Sequence, residues 1–376
     1  MRRRLPPVPD PSRRVPLVVD ARLLAYNRTG IGRYLRHLYA ALGALRAGAG
    51  AVPDVTVLYH RTDGARRLRG WWPREAVAWT PPHHRLERWA LAVELARLRP
   101  RLVHCPDHVC PQPLGWRTVL TVHDLAFRKL PESHAPGSRA YYAALERSVR
   151  QATRIICVSD ATRRDLLAET GVDERKVRVV YEAPDPAYTP DGPAVAGERP
   201  YVVFVGSVEP RKNVAGIVRA LARLPAPERP ELRLIGAGGP SLEAVRRLAQ
   251  ELGLASDVRF LGPLPTAEIA AQYRGALALV YPSLLEGFGL PILEAMAAGA
   301  PVITSGCSSM AEVAGGADEL VDPRDDDAIA AAIARLAGDR RYREALRCRG
   351  FARARQFSWE RAARETLAVF HEALAA

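Results

Sequence analysis

The chain has 376 residues, of which 48% are hydrophobic and 25% charged. This composition predicts a soluble globular protein, and the length predicts two domains of ordinary size. Its formal net charge is +13 and its pI about 9.9, and arginine carries almost all of the positive charge. This charge favours anionic ligands and anionic membrane surfaces, although GC-rich coding explains the arginine content equally well. No nucleic-acid recognition motif accompanies the charge, so nucleic acid is not expected as a partner.

The cysteines and the first residues bear on the compartment. Five scattered cysteines argue against a disulfide framework and for a reducing, cytoplasmic location. Residues 1–15 are basic without an apolar core, so we expect a flexible lead-in and no signal peptide. Since no apolar run reaches transmembrane length, any contact with the inner membrane face is expected to be peripheral.

The first half opens with a predicted strand over residues 17–24 and a glycine turn into a helix. Gly30 and Gly32 lie at the mouth of this helix, where backbone N–H groups can bind an anion. A plain tight turn is an equally good interpretation of these glycines alone. A second strand is predicted over residues 55–60.

Two stretches rich in arginine and aromatic residues follow. The loop around Trp71 and Trp72 is predicted to be a surface loop, with an acceptor-side or membrane-facing loop as the alternative. Residues 83–100 have helical periodicity that places Trp89 on one apolar side with three leucines. Core packing is the first interpretation of that side and membrane docking the second.

Residues 101–111 combine histidines and cysteines, which invites a zinc interpretation. No second CxxC or HxxxH pair occurs elsewhere, and Pro106 indicates a turn after a strand, so no metal site is predicted. The residues concerned are His104, Cys105, His108 and Cys110.

The next strand, predicted over residues 118–127, runs into His123 and Asp124. The carboxyl ends of strands in α/β sheets are where ligands bind, so both are candidates, although a lone histidine is more often structural. A strand, a Ser-Asp cap and a helix follow over residues 154–167, and a last strand over residues 177–183.

A proline-rich linker over residues 183–200 leads to a second domain, which opens with a strand at 201–206. Arg211 and Lys212 then lie at the start of a helix. Adjacent cations there oppose the helix dipole, which indicates an anion that they bind, with a solvated basic turn as the alternative.

Residues 284–304, LLEGFGLPILEAMAAGAPVIT, carry the most specific pattern. Apolar runs of strand length lie on both sides, Pro291 suits a first helical turn, and Gly299 suits a helix end. The predicted order is therefore strand, glycine-rich loop, helix, strand.

This order places Glu286 in the loop and Glu294 one turn into the helix. Gly287 and Gly289 let backbone amides approach a ligand closely, and the helix N-terminus suits a diphosphate. Glu294 can accept paired hydrogen bonds from a sugar diol. The stretch therefore predicts a site for a phosphate joined to a sugar.

The glutamate pair in EGFGLPILEAMAAGAPVI strongly resembles the signature of retaining glycosyltransferases of family 4, and TGIGRY, the HD pair and GS-x(3)-RKN are similar to other elements of that family. The resemblance covers nearly the whole chain after residue 15. It implies the α/β GT-B fold, with two Rossmann-like domains facing across a cleft. The implied divisions are a lead-in at 1–15, an acceptor-binding domain at 16–190, a nucleotide-sugar-binding domain at 191–356, and a helix at 357–376 that crosses back to the first domain.

The resemblance also implies roles for residues. Arg211 and Lys212 would bind the donor diphosphate, Glu286 the sugar, Glu294 the ribose, and His123 would lie against the donor sugar near the reacting carbon. The four expected to be catalytic are His123, Glu286, Arg211 and Lys212. Further donor-binding candidates are Gly32, Gly206, Gly287, Phe288, Gly289 and Leu290, and acceptor or cleft candidates are Arg33, His104 and Asp124.

The implied reaction transfers a hexose from a nucleotide-sugar to a hydroxyl with retention, and no metal or other cofactor is expected if the cations suffice. GDP-mannose is the first expectation for the donor and UDP-glucose the second, with glycan, glycolipid and natural-product acceptors all open. Alternatives are an epimerase, a phosphorylase, for which no lysine suits pyridoxal phosphate, and a non-catalytic nucleotide-sugar or polyanion-binding protein.

Overall fold

The computed structural model describes residues 16–25, 30–49, 52–62, 74–82, 84, 86–130 and 138–376. The predicted lead-in at 1–15 and the loop around Trp71 and Trp72 lie outside these ranges. Within them, no helix combines the length and the apolar character that a membrane crossing requires.

The first half forms a parallel sheet whose central strands are rich in valine and leucine and buried on both faces, as strands covered by helices are. The strands are β1 (Pro16–Asp20), β2 (Asp54–His60), β3 (Arg74–Ala78), β4 (Leu102–Cys105), β5 (Arg117–Val122), β6 (Arg154–Cys157) and β7 (Val177–Val179). Their order across the sheet is β3-β2-β1-β4-β5-β6-β7, with every pairing parallel. The helices are α1 (Gly30–Ala49), α2 (Glu87–Ala96), α3 (Ala126–Lys129), α4 (Ser138–Gln151) and α5 (Asp160–Thr170).

The second half forms another parallel sheet, in the order β10-β9-β8-β11-β12-β13. Its strands are β8 (Tyr201–Val205), β9 (Glu231–Ile235), β10 (Val258–Gly262), β11 (Ala278–Tyr281), β12 (Val302–Ser305) and β13 (Glu319–Val321). Its helices are α6 (Val214–Arg223), α7 (Leu242–Glu251), α8 (Thr266–Gly275), α9 (Leu290–Ala298), α10 (Met310–Ala314), α11 (Asp326–Gly338) and α12 (Arg340–Ala354).

The last helix, α13 (Trp359–Ala375), returns to the first sheet as predicted and packs on α1 and on strands β4 to β6. Ser358 caps it by accepting from the Arg361 amide, and Phe370 is buried. At its start, Trp359 Nε1 donates to the Pro184 carbonyl oxygen at 3.1 Å, which ties the helix to the segment between the sheets.

Several predictions for the first half need correction. The strands predicted over residues 118–127 and 177–183 end earlier, at Val122 and Val179, and α3 begins within the first of these ranges. The first strand ends at Asp20, and residues Arg22–Ala25 form a short 3-10 helix, because the buried Arg22 turns back to pair with Asp20. Trp89 does not share the apolar side of its leucine neighbours. It is 57% exposed, whereas Leu91 and Leu95 pack in the core, because the helix directs them to the opposite side.

Candidate active site between the two sheets

Two loops meet between the sheets, each just after the carboxyl end of a central strand. His123 follows β5, and the loop of Gly287 follows β11. They are so close that a β-carbon built on Gly287 would lie 1.6 Å from the His123 backbone oxygen. Only glycine fits at this position. The close approach of the two loops brings residues predicted from both halves of the sequence to one place.

The Gly287 loop is also attached to α5 of the first half. The hydroxyls of Ser159 and Thr162 donate to the Gly287 carbonyl oxygen at 2.6 and 3.0 Å. Glu312 of α10 accepts from the first two backbone amides of α5 at 2.7 and 2.9 Å, and so caps a helix of the other half. Hydrogen bonds on both sides of the loop therefore join the two sheets.

The helix after this loop begins and ends as the sequence predicts. Gly289 precedes α9 with φ of 101°, Pro291 lies in the first turn, and Gly299 ends the helix with φ of 88°. Both φ values lie in the left-handed region that favours glycine. The first amides of α9 lack partners within the helix and carry its partial positive charge, which suits a phosphate.

Arg211 and Glu286 form an ion pair at the mouth of the loop. The Arg211 Nη1 atom lies 2.7 Å from Glu286 Oε2 and donates to the Leu285 carbonyl oxygen at 3.0 Å. The Tyr281 hydroxyl donates to Glu286 at 2.8 Å. Burial alone would raise the pKa of Glu286, but Arg211 and Lys212 hold this pKa below its usual value. Glu286 is therefore an ionised carboxylate in a fixed position.

Lys212 lies beside this pair but has no carboxylate of its own within ion-pair distance among the described residues. Its Nζ atom is 3.4 Å from Ser207 Oγ. A β-carbon on Gly206, where φ is 150°, would lie 3.0 Å from the same nitrogen, so glycine leaves room for the lysine tail. Lys212 is thus a largely buried cation that can serve an anionic ligand.

Glu294 lies deeper, at 1% exposure, and one of its oxygens accepts from Arg33 of α1. Its other oxygen has no partner with hydrogen-bond geometry in the described chain, and neither does the buried hydroxyl of Tyr273, although the Tyr188 hydroxyl lies close enough to lower the pKa of Glu294. Burial raises the pKa of Glu294, an effect that Arg33 offsets only in part. Glu294 is in turn the largest cause, after burial, of the raised pKa values of Tyr273 and Tyr188. A diol would satisfy the orphaned oxygens.

His123 turns its backbone, not its ring, towards the second half. Its Nδ1 atom lies 3.1 Å from Glu182 Oε1, its Nε2 atom lies 3.1 Å from the Pro106 carbonyl oxygen, and the Tyr34 ring packs edge-on at 4.9 Å. Both nitrogens are therefore engaged within the first half, while the carbonyl oxygen faces Gly287.

The prediction that His104 faces the cleft is wrong. The ring is fully buried against α1 and α13, with Nδ1 2.7 Å from the Tyr39 hydroxyl and Nε2 2.9 Å from Thr121 Oγ1. Burial lowers its pKa to about 3. The strand β4 is covered on both faces, so the alternation of side chains sends His104 into the core rather than to the cleft.

His108 and Asp124 line the first-half wall without forming a metal site. His108 Nδ1 lies 2.6 Å from Asp107 Oδ1, and its Nε2 lies 3.2 Å from the Asp124 carbonyl oxygen. Asp124 Oδ1 accepts from the Ala126 amide, the first of α3, at 3.0 Å. In the ranges that the structure covers, no group of three or more His, Cys, Asp or Glu residues is arranged to hold a metal.

The remaining donor candidates lie at the same edge of the structure. Gly32 is in the first turn of α1, next to Arg33, and Phe288 and Leu290 flank Gly289 at the start of α9. The loops after β8, β9 and β10 enclose a cavity of about 230 Å³. Gly206, Gly236, Gly262, Arg246 and Phe260 contribute to its wall, and the Arg246 guanidinium lies 4.0 Å over the Phe260 ring.

Several residues of this site escaped the sequence analysis. Glu182 follows strand β7, so the strand-end rule that selected His123 could have found it. Tyr188 lies in the proline-rich segment between the sheets, and Tyr273 in a helix. Neither carries a sequence signal, because only the fold brings them beside Glu294.

Comparisons with known proteins agree with this arrangement. Residues 28–188 match the family described as Glycosyltransferase Family 4, and residues 190–353 match Glycosyl transferases group 1. The chain is 32% identical over 375 residues to the O-antigen chain mannosyltransferase B of Escherichia coli, covering 92% of this chain and 97% of that protein.

Solved structures with the same architecture include sucrose-phosphate synthase from Thermosynechococcus elongatus, with a TM-score of 0.79, 22% identity, and coverage of 96% of this chain and 100% of that one. Anabaena HepE in complex with UDP and glucose has a TM-score of 0.73, 17% identity, and coverage of 95% and 99%. At these identities the likeness shows the fold, which confirms the predicted GT-B arrangement of two Rossmann-like domains.

Proposed function

This chain belongs to glycosyltransferase family 4, and we propose that it transfers a hexose from a nucleoside-diphosphate sugar to a hydroxyl group with retention of configuration. The observation that carries the proposal is the meeting of Arg211, Lys212, Glu286 and Glu294 around the amino end of α9, where the orphaned oxygen of Glu294 lies next to a site suited to phosphate. A nucleotide-sugar combines the diphosphate and diols that such a site can bind.

Each residue has a part in the proposed reaction. Arg211, Lys212 and the first amides of α9 stabilise the charge that grows on the leaving diphosphate, so no metal ion is required. Glu286 holds hydroxyls of the transferred sugar, and Glu294 holds the ribose. The cavity after β8, β9 and β10 receives the base.

Retention is proposed to follow from departure and attack on the same face of the sugar. Glu286 and Glu294 are each held by an arginine, which favours binding roles over nucleophilic attack. The leaving phosphate would accept the proton of the acceptor hydroxyl, while the closely packed loops keep donor and acceptor in position.

For the donor we place GDP-mannose first and UDP-glucose second. The relative named as a mannosyltransferase supports the first, and the HepE complex with UDP and glucose supports the second. The acceptor enters from the first domain and is a hydroxyl of a glycan, a glycolipid or a natural product. The basic charge supports work at an anionic membrane surface.

The first experiment measures thermal stabilisation by GDP, UDP and ADP, each without added metal, because a ligand that binds only the folded state raises its stability. We expect a clear shift with GDP. A shift with UDP alone would move the donor to a UDP-sugar, and no shift with any nucleotide would contradict the donor site.

Turnover then separates an enzyme from a binding protein of the same fold. Incubation with GDP-mannose and candidate acceptors should release GDP and give a product whose anomeric configuration, read by NMR, matches that of the donor. A nucleotide that binds while neither transfer nor donor hydrolysis occurs would favour the non-catalytic alternative. An inverted product would overturn the same-face mechanism.

A further inference from the structure

An exposed apolar surface lies on the first domain, on the outer side of α2 and at the end of β3. The described residues leave eight large apolar side chains exposed, and five of them fall within these two elements and the residues that flank them. The two tryptophans among them are 69% and 57% exposed. We call the part of it beside α2 the α2 surface, formed by Trp79, Leu86, Trp89 and Val93.

Four of the five side chains belong to one region of the fold. Val77 is the exception, because its neighbours Ala76 and Ala78 pack in the core under α2, which turns Val77 to the other face of the sheet. Leu86, Trp89 and Val93 are spaced by three and four residues, so they lie on one outward face of the helix. The end of β3 is fastened to the same helix, because Glu94 accepts from the backbone amides of Trp79 and Thr80 at 2.8 and 2.9 Å.

A buried network holds the α2 surface in place. Arg22 lies 2.7 Å from both Asp20 and Glu87 and donates to the Thr80 carbonyl oxygen at 2.8 Å. It therefore joins β1, the start of α2 and the residue next to Trp79. The exposed apolar side chains are thus held on a rigid part of the fold, as expected of a surface that binds a partner.

Among the described residues near these side chains, arginine is the commoner exposed charge, and Glu75 of β3 is an exposed carboxylate beside them. Glu87 is buried in the Arg22 network, and the Glu94 carboxylate is taken up by backbone amides. By contrast, Arg61 lies 5.1 Å over the Trp79 ring and Arg88 5.5 Å over the Trp89 ring. Across residues 60–101 the sequence has ten arginines and four acidic residues.

We propose that the α2 surface docks the protein on an anionic lipid bilayer. Tryptophan and arginine together suit the headgroup region, where an amphipathic ring and a snorkelling cation meet both apolar and charged groups. A second copy of the chain would bring two arginine-rich faces together, which like-charge repulsion opposes. The inference concerns where the enzyme works and stands independently of the donor.

The test is sedimentation of the full chain with vesicles. Phosphatidylcholine vesicles with and without about one third phosphatidylglycerol distinguish charge-assisted docking from non-specific adsorption to any bilayer. We expect binding to the anionic vesicles only, weakened by salt. The double variant Trp79→Ser/Trp89→Ser should lose about tenfold or more of its partitioning.

A matched control uses the exposed leucines of the second half, Leu252→Ser/Leu320→Ser, which should bind vesicles as the wild type does. Nucleotide-induced stabilisation should be unchanged in both variants, which shows that they fold and separates this test from that of the reaction. Equal vesicle binding by the tryptophan variant and the wild type would overturn the inference. So would a dimer of the wild type that the tryptophan variant abolishes and that binds no vesicles.

Discussion

The two walls of the cleft are built in different ways. On the second-half wall, Arg211 and Glu286 lie in short connections between a strand and a helix, and they bind each other at 2.7 Å. On the first-half side, His104 and His108 are four residues apart and both are buried, but His104 lies in the core away from the cleft, whereas His108 pairs with Asp107 and contacts the Asp124 carbonyl oxygen. Where the site is made by local turns, sequence spacing locates it. Where tertiary packing decides which way a strand residue faces, spacing does not.

The largest effect is expected for Arg211→Ala on the second-half wall. Removal of a group that stabilises the leaving diphosphate should lower turnover about 10²- to 10³-fold. Steady-state kinetics with the donor identified by thermal shift would measure this effect. The control is Arg219→Ala on the neighbouring helix, whose exposed pair with Asp326 should matter little to activity or stability. Turnover of Arg211→Ala within about twofold of wild type would remove Arg211 from the proposed mechanism.

The sequence predicted nearly all of the second-half wall and part of the first. Pro291 and Gly299 fix the bounds of α9, so the sequence alone placed Glu286 in the loop and Glu294 in the helix. His104 could not, since a four-residue strand covered on both faces gives no sign of which side holds the ligand. The two-domain fold followed from the order of strands and helices together with the family resemblance. The pairing of Arg33 with Glu294 could not be predicted, because these two residues lie 261 positions apart in the sequence.

A second prediction tests the contact between the walls. Glu294→Gln keeps the shape of the side chain but removes the charge that orients both Arg33 and a ribose diol. We expect nucleotide affinity to fall about tenfold to a hundredfold. The dideoxy form of the same nucleotide, which lacks both ribose hydroxyls, sharpens the measurement. The dideoxy nucleotide should bind the wild type more weakly than the parent nucleotide does. It should bind Glu294→Gln almost as tightly as the parent nucleotide binds that variant. A full discrimination between the two nucleotides in the variant would place the ribose elsewhere.

The third prediction separates the two buried histidines of the first domain, His104 and His108, by pH. Burial alone would lower the pKa of His108, but Asp107 and the Asp124 carbonyl raise it to about 9. Because the folded-state pKa lies above the unfolded value, the stabilisation is fully present below pH 6.5 and is lost as pH rises through 9. His108→Asn should therefore cost about 1–2 kcal/mol at pH 6 and much less at pH 10.

His104 is the internal control for that experiment. Burial lowers its pKa to about 3, so the ring is neutral in the folded protein at pH 6 and above, and the cost of His104→Asn should not change between pH 7 and 10. Unfolding midpoints of both variants and the wild type, measured at pH 6, 7, 8 and 10, give the comparison, and the values from pH 7 to 10 are those at which His104→Asn serves as the control. A cost for His108→Asn that is the same at all four values would show that its ion pair with Asp107 is not formed.

The smallest effect is expected for Tyr273→Phe, on a residue of the second-half wall that no sequence pattern revealed. Its hydroxyl is buried without a partner in the described chain, so its removal should leave stability unchanged or raise it by less than about 1 kcal/mol. If that hydroxyl donates to the ribose beside Glu294, nucleotide affinity should nevertheless fall about three- to tenfold. Tyr201→Phe offers the matched opposite, since the Tyr201 hydroxyl lies within 3.0 Å of the carbonyl oxygens of Val195 and Gln272. That variant should lose stability and keep its nucleotide affinity. Calorimetric titration and thermal unfolding of both variants would decide the matter, and an unchanged affinity in Tyr273→Phe would remove Tyr273 from the proposed ribose contact and leave it to Glu294.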